Sequence, residues 1–161
     1  MFRQAAVDKT RFKLGALSGQ EQDRPMVLFV CVHNAGRSRM AEAFFNQLAG
    51  ERYRGLSAGT DPARKPHPEV VDAMREVDID LDNTPGTLLT PELAESAVRV
   101  IGMGCAVEEA CPALTVPLED WDLPDPKGKS REEVAEIRDR VELKVRNLVG
   151  QLDRDLATDR R

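Results

Sequence analysis

The segment of this chain that carries the most chemistry is Cys31-Val32-His33-Asn34-Ala35-Gly36-Arg37-Ser38, in which five residues separate a cysteine from an Arg-Ser pair. A loop that short must wrap around itself. The backbone N–H groups from Val32 through Ser38, including those of His33, Asn34, Ala35 and Gly36, then converge with a helix N-terminus to form a cradle for a tetrahedral oxyanion. Gly36 lets the backbone turn tightly. A free thiol with a pKa of about 8.5 is mostly protonated at neutral pH, but the field of such a cradle, reinforced by the Arg37 guanidinium, stabilises a Cys31 thiolate and makes it a nucleophile. Ser38 stands close enough in sequence to donate a hydrogen bond to the sulfur. The plain alternative is a small buried hydrophobe at Cys31 and a solvated helix-start residue at Arg37. With 3 Cys among 161 residues, a Cys-x5-Arg-[Ser/Thr] pattern arises by accident roughly 0.02 times, which favours function.

Positioning these groups requires a strand before Cys31 and a helix after Gly36. Met26-Val27-Leu28-Phe29-Val30 is a continuous apolar run opened by Pro25, as in a fully buried central strand. Met40, Ala41, Phe44, Phe45 and Leu48 then recur at helical spacing and stop at Gly50. A weak strand is expected over 52–57, a helix from Pro68 through Glu76, a brief helix after the Thr90-Pro91 cap, and a strand over 98–103. Residues 113–118 can form a last short strand, and 119–129, with three Asp, two Pro and one Gly, have the composition of an exposed ordered loop. Ser130-Arg131-Glu132-Glu133 is a capping box, after which Val134, Ile137, Val141, Val145, Leu148 and Leu152 lay one apolar stripe along a final helix. Strands alternating with helices predict an α/β fold, an open parallel sheet with helices on both faces, in which ligands sit beyond the carboxyl ends of the strands. Cys31, Cys105 and Asp125 all follow predicted strands.

The length suits a single catalytic unit, expected over 25–156, with a loosely ordered polar arm at 1–24 and a frayed tail at 157–161. The longest apolar run, Met26 to Val32, is seven residues, against roughly 20 for a transmembrane helix. No secretory signal is evident in the first residues, so a cytoplasmic location is expected. A net charge of −5 gives no global attraction to nucleic acid or to an anionic membrane, and an anionic substrate must be drawn by a local site. Three sparse cysteines argue against a secreted disulfide framework and for reduced thiols. A zinc site is disfavoured, since five residues intervene between Cys105 and Cys111 and only His33 and His67 could add ligands. His33 is read as ordering the loop or lying in solvent, and His67, between prolines, as a surface residue.

The stretch Val30 to Ser38, the Met40-Ala41-Glu42-Ala43-Phe44 that follows, Ser57-Ala58-Gly59-Thr60 and Trp121-Asp122-Leu123-Pro124-Asp125-Pro126 together resemble the low-molecular-weight tyrosine phosphatases, and within them the arsenate reductases. The resemblance runs from Met26 to the final helix. It implies a four-stranded parallel sheet, Cys31 as nucleophile, Arg37 as oxyanion clamp, Ser38 as partner of the thiolate and Asp125 as general acid. The residues alone do not rank Asp125 above Asp120 or Asp122. Cys105 and Cys111 resemble the two further cysteines of such reductases. By that likeness Cys105 attacks Cys31 to release arsenite and Cys111 resolves the disulfide, each step being thiolate attack.

The substrate implied is arsenate, with phosphate or sulfate as competing anions. The resemblance implies no tightly bound cofactor and an external reductant, thioredoxin in preference to a small-thiol or glutaredoxin-like system. A tyrosine phosphatase using Cys31, Arg37, Asp125 and water is the alternative enzyme, but it needs apolar walls for an aromatic ring and aromatic content here is 4%. A non-catalytic module that binds oxyanions or arsenite, or senses redox state through its thiols, is the remaining reading. Two departures from the family stand out. Arg39 replaces the usual Gln and is expected to add positive potential near the mouth of the site. The potassium site of some arsenate reductases would use Asn34, Glu42 and Ser57, but its remaining positions fall near Pro85 and Thr87 and match poorly, so no bound potassium is expected.

Overall fold

The computed structural model describes residues 23–104 and 117–159. Cys105, Cys111, most of the 113–118 segment and nearly all of the N-terminal arm lie outside the described residues. The order of elements is β1 (Met26–Cys31), α1 (Arg37–Ala49), β2 (Arg54–Gly59), α2 (Pro68–Arg75), α3 (Pro91–Glu95), β3 (Arg99–Gly102), β4 (Leu118–Asp120) and α4 (Arg131–Asp159). The four strands form one sheet in the order β2-β1-β3-β4, and every pairing is parallel.

β1 is buried along its whole length, which explains a sequence with no polar alternation: each face meets a different apolar layer. Val27, Phe29 and Cys31 join α1, α2 and α4 in the larger core. Met26, Leu28 and Val30 join Leu89, Ala94 of α3 and Val100 on the opposite face. Helices therefore cover both faces, as expected. Phe29 is fully buried, with its ring 5.5 Å from that of Phe45 and 5.9 Å from that of Trp121. Burying a side chain of that size stabilises the fold by roughly 2–3 kcal/mol. It also ties the start of the Asp-rich loop to the central strand.

Two strands are displaced from their expected positions. β2 begins at Arg54 because Arg52 is used to close α1, its N–H and Nε both donating to the Ala49 carbonyl. β4 runs over Leu118–Asp120, two residues into the stretch read from composition as loop. It is an edge strand whose Glu119 faces Arg99 at 2.8 Å, so it needs no apolar run to pair with β3. The capping box at Ser130 is reciprocal: Glu133 N–H donates to Ser130 Oγ and Ser130 N–H to Glu133 Oε1. All six residues of the apolar stripe are buried, and α4 continues through Asp159.

Glu76, just beyond α2, joins that helix to α4. It accepts from Arg131 Nε and Nη2 and from Arg138 Nη1. The hydrogen bond from Arg131, ahead of its charge and of the Arg138 bond, holds the Glu76 carboxyl below its ordinary 4.5. A carboxyl depressed in the folded state contributes stability that is present above its unfolded value and lost as pH falls through its folded one. Glu76→Gln is therefore expected to lower stability at neutral pH and to flatten the loss of stability below pH 4.5. Urea melts of both proteins at neutral and acid pH check this, and parallel acid limbs would refute it.

Candidate active site

The loop from Cys31 to Ser38 turns from the carboxyl end of β1 into the first turn of α1. Its carbonyls point outward and are taken by one neighbouring segment: Asp61 N–H donates to Val32 O, Ala63 N–H to His33 O and His67 N–H to Ala35 O, at 2.8, 2.8 and 2.9 Å. With these three carbonyls engaged by the 61–67 segment, they are turned away from the cavity, as a loop that is to bind an oxyanion through its N–H groups requires. Gly36 lies where a Cβ would stand 3.0 Å from Pro126 Cγ and 3.4 Å from His67. The loop after β4 and the loop before α2 therefore pack so closely against it that a side chain here would push Pro126 back by a few tenths of an ångström.

Cys31 is buried, and its sulfur lies 2.9 Å from Ser38 Oγ and accepts from Asn34 N–H at 3.2 Å. Asn34 adopts a left-handed conformation, φ +49°. Its Oδ1 accepts from Thr87 N–H and its Nδ2 donates to Ser38 Oγ, both at 2.8 Å. That bond occupies a lone pair of Ser38 Oγ and leaves the Ser38 proton for the sulfur. Donors directed at Sγ favour its anionic form.

Arg37 is buried, with Nη1 donating to Leu123 O at 2.6 Å and Nη2 standing 4.0 Å from Asp125 Oδ2. The guanidinium is thus fixed by a residue 86 positions away. A cavity of about 530 Å3 opens over the loop, lined by Cys31, Val32, His33, Ala35, Gly36 and Arg37 on one side and by His67, Gly104 and Asp122 through Asp125 on the other. No Phe, Tyr or Trp is among these lining residues.

The predicted oxyanion residues divide into two groups. Val32, His33, Ala35, Gly36 and Arg37 face the cavity, whereas Asn34 and Ser38 stand behind it and hold the sulfur. The structure also separates the three acidic candidates. Asp120 is occupied as a staple, its Oδ1 accepting from Gly104 N–H and Asp122 N–H. Asp122 and Asp125 line the cavity, and Asp125 alone of the three is paired with Arg37. His33 contacts Asp61, its Nδ1 3.1 Å from the carbonyl oxygen. His67, read from the sequence as surface, is half-buried and lines the cavity. The flanking Pro66 and Pro68 were its only signal, because they fix the backbone that presents the His67 N–H to Ala35. The Leu123 carbonyl and the Asp120 staple left no trace in the sequence.

Gly104 precedes the undescribed segment. Its φ is +83°, and a Cβ there would lie 2.4 Å from Leu123 O and 2.5 Å from Leu123 N. Gly104→Ala is expected to push Leu123 aside, loosen Arg37 and lower kcat/KM by about 10- to 100-fold. Stability falls by about 1–3 kcal/mol from the strained backbone. Steady-state kinetics alongside thermal melts check both, and unaltered kinetics would show that Leu123 does not set Arg37.

Among the described residues no group of three or more His, Cys, Asp and Glu could hold a metal ion, and no helix is long and apolar enough to cross a membrane. Behind the loop, Glu42 on α1 accepts from the Ser57 hydroxyl. Burial pushes its carboxyl above the ordinary 4.5. Burial also lowers Arg39, against the opposing pull of Glu42 and Asp82.

Comparison with known proteins follows the same geometry. Residues 26–158 match the family profile described as low molecular weight phosphotyrosine protein phosphatase. A Halobacterium salinarum relative is 43% identical over 133 residues, covering 79% of this chain and 92% of its own. The arsenate reductase of Staphylococcus xylosus is 32% identical over 127 residues, covering 78% of this chain and 96% of its own. Among solved structures, the thioredoxin-dependent arsenate reductase of Corynebacterium glutamicum superimposes with a TM-score of 0.66 at 30% identity, covering 82% of this chain and 63% of that one.

Proposed function

Because the chain belongs to the low molecular weight phosphotyrosine protein phosphatase family, we propose that it is an arsenate reductase, with residues 25–156 as the catalytic domain and an external thiol system as reductant. The observation that carries this reading is a buried Cys31 sulfur held by Ser38 and Asn34 N–H beneath an oxyanion-sized cradle, in a chain whose Staphylococcus xylosus relative bears that activity. The absence of an aromatic ring among the described lining residues disfavours an aryl phosphate as the substrate.

In the proposed reaction the arsenate oxygens lie against the N–H groups of the loop and the Arg37 guanidinium. The Cys31 thiolate attacks arsenic in line, forming an S–As bond as an As–O bond breaks, and Asp125 gives its proton to the departing oxygen, which leaves as water. The Cys105 thiolate then attacks Cys31 Sγ. A Cys31–Cys105 disulfide forms, the electron pair of the S–As bond stays with arsenic, and As(V) leaves as As(III), arsenite. Cys111 attacks Cys105, which frees Cys31 and leaves a Cys105–Cys111 disulfide for a dithiol such as thioredoxin to reduce. Phosphate and sulfate compete for the cradle, since they match arsenate in shape and charge.

The test is to incubate the fully reduced protein with arsenate and no added reductant, then count thiols, map disulfides by mass spectrometry and measure arsenite. Loss of two thiols as a Cys105–Cys111 bridge with one arsenite released per chain is the expected result. A phosphatase would leave all three thiols intact and hydrolyse an aryl phosphate through water. That outcome would assign the same Cys31, Arg37 and Asp125 to the other chemistry of the family.

A further inference from the structure

Arg39 follows Ser38 immediately, and although its charge acts on Cys31 its side chain does not line the cavity. It turns to the segment between α2 and α3, where Nη1 donates to Thr84 Oγ1 at 3.3 Å and Nη2 to the Thr84 carbonyl. Its Nε is buried with no hydrogen-bond partner among the described residues. Glu42, one turn along the same face of α1, and Asp82, on the segment that Arg39 clamps, are the carboxylates whose charge acts on the guanidinium. Three residues beyond Thr84, Thr87 N–H holds Asn34 Oδ1, and Asn34 in turn holds Ser38 beside the sulfur.

The potassium site of related reductases would fall among Asn34, Glu42 and Ser57, and the groups present here do not fit that ion. A hard cation needs several oxygens with lone pairs directed at it. The Thr84 hydroxyl and carbonyl oxygens already accept from the Arg39 guanidinium, and Asn34 Oδ1 accepts from Thr87 N–H, so the positive charge that the 82–87 segment meets is already the guanidinium. A second cation in the same shell would be repelled by it.

We propose that Arg39 is the built-in cation of this shell: by clamping Thr84 it holds the 82–87 segment, and through it Asn34 and Ser38, so that the support behind Cys31 is complete without a monovalent ion. Arg39 is a positioning residue and touches neither substrate nor sulfur. The inference depends on the reading above only in taking Cys31 as the reacting sulfur, and it can be tested without arsenate.

The experiment compares the full chain with Arg39→Gln and Arg39→Lys in potassium, sodium and tetramethylammonium chloride, each at about 0.1 M so that screening is equal. Two quantities are read: the thermal midpoint, and the rate of Cys31 alkylation by iodoacetamide, mapped by mass spectrometry. The unaltered protein is expected to melt within about 1 °C in all three salts, because a ligand that does not bind does not shift the midpoint. Its alkylation rate is likewise expected to be the same in all three. Arg39→Gln removes the positive charge from which the Thr84 hydroxyl and carbonyl oxygens accept. It should melt higher in potassium than in tetramethylammonium by about 2–4 °C and recover its alkylation rate only in the smaller ions. Arg39→Lys restores a fixed positive charge and should show no preference among the salts.

A midpoint for the unaltered protein that rises by several degrees in potassium overturns the proposal. So does an Arg39→Gln protein that matches the unaltered one in every salt. If Arg39→Gln fails to fold, the unaltered protein and Arg39→Lys still decide, since a potassium response in either refutes a built-in cation and indifference in both supports it. Failure of arsenate reduction alone leaves these readouts in place, so the two readings fail separately.

Discussion

Cys31→Ser is expected to remove arsenite production altogether, by about 10^3-fold or more, while leaving anion binding intact. The substitution changes one buried atom. Serine fits the site between Ser38 Oγ and Asn34 N–H, so the sheet and the loop carbonyl contacts to Asp61, Ala63 and His67 persist. What changes is the nucleophile, because a serine hydroxyl is far less acidic and far less nucleophilic than a cysteine thiol. With no negative sulfur beneath it, the cradle should hold phosphate at least as well as before. The paired measurement is arsenite release under excess dithiol and the thermal shift on adding phosphate. A variant that still makes arsenite would remove Cys31 from the reaction. A variant that loses both turnover and the phosphate shift would show instead that the loop had collapsed.

Arg37→Lys and Arg37→Ala should both be severely impaired, by about 10^2- to 10^4-fold in kcat/KM, with lysine only partly better than alanine. The guanidinium has two tasks that a single ammonium cannot share. One arm donates to Leu123 O while the other stands 4.0 Å from Asp125 at the cavity, and a planar fork meets both constraints at once. A lysine that satisfied Leu123 would carry its only charge away from the anion. In the proposed reaction the arginine contacts the oxyanion in both ground and transition states, so KM should rise and kcat fall together. Removing it also leaves the Leu123 carbonyl without its donor, at about 1–3 kcal/mol. Thermal melts separate this structural loss from the catalytic one. A lysine variant with ordinary kcat and KM would mean that charge alone suffices and that the Leu123 anchor is incidental.

Much of the positioning was legible because it is local. The unbroken apolar run at Met26–Val30 identifies a central strand, since no edge or half-exposed strand tolerates apolar residues on both faces. The loop from Cys31 to Ser38 identifies itself by spacing, and Ser130 with Glu133 marks the start of α4 within four residues. β4 was misplaced for the converse reason: an edge strand held by backbone pairing and by Glu119 with Arg99 carries no apolar signature. Its residues resemble the loop into which they lead.

The sequence by itself therefore determined the architecture and singled out Cys31 and Arg37 as the candidate nucleophile and clamp, all of which are written in windows of a few residues with fixed periods. It did not determine how the acidic residues, the histidines and Arg39 divide their labour. Asp120 became a staple and Asp125 a cavity residue because the chain path after β4 places one against Gly104 and the other against Arg37. His67 entered the cavity because its N–H meets Ala35 O. Arg39 left it because Thr84 offered a carbonyl and a hydroxyl on the opposite side. Each outcome rests on a hydrogen bond or ion pair between residues separated by 16 to 88 positions. Partners so distant in the chain are chosen by the fold that brings them together, and no local pattern of residue types encodes that choice.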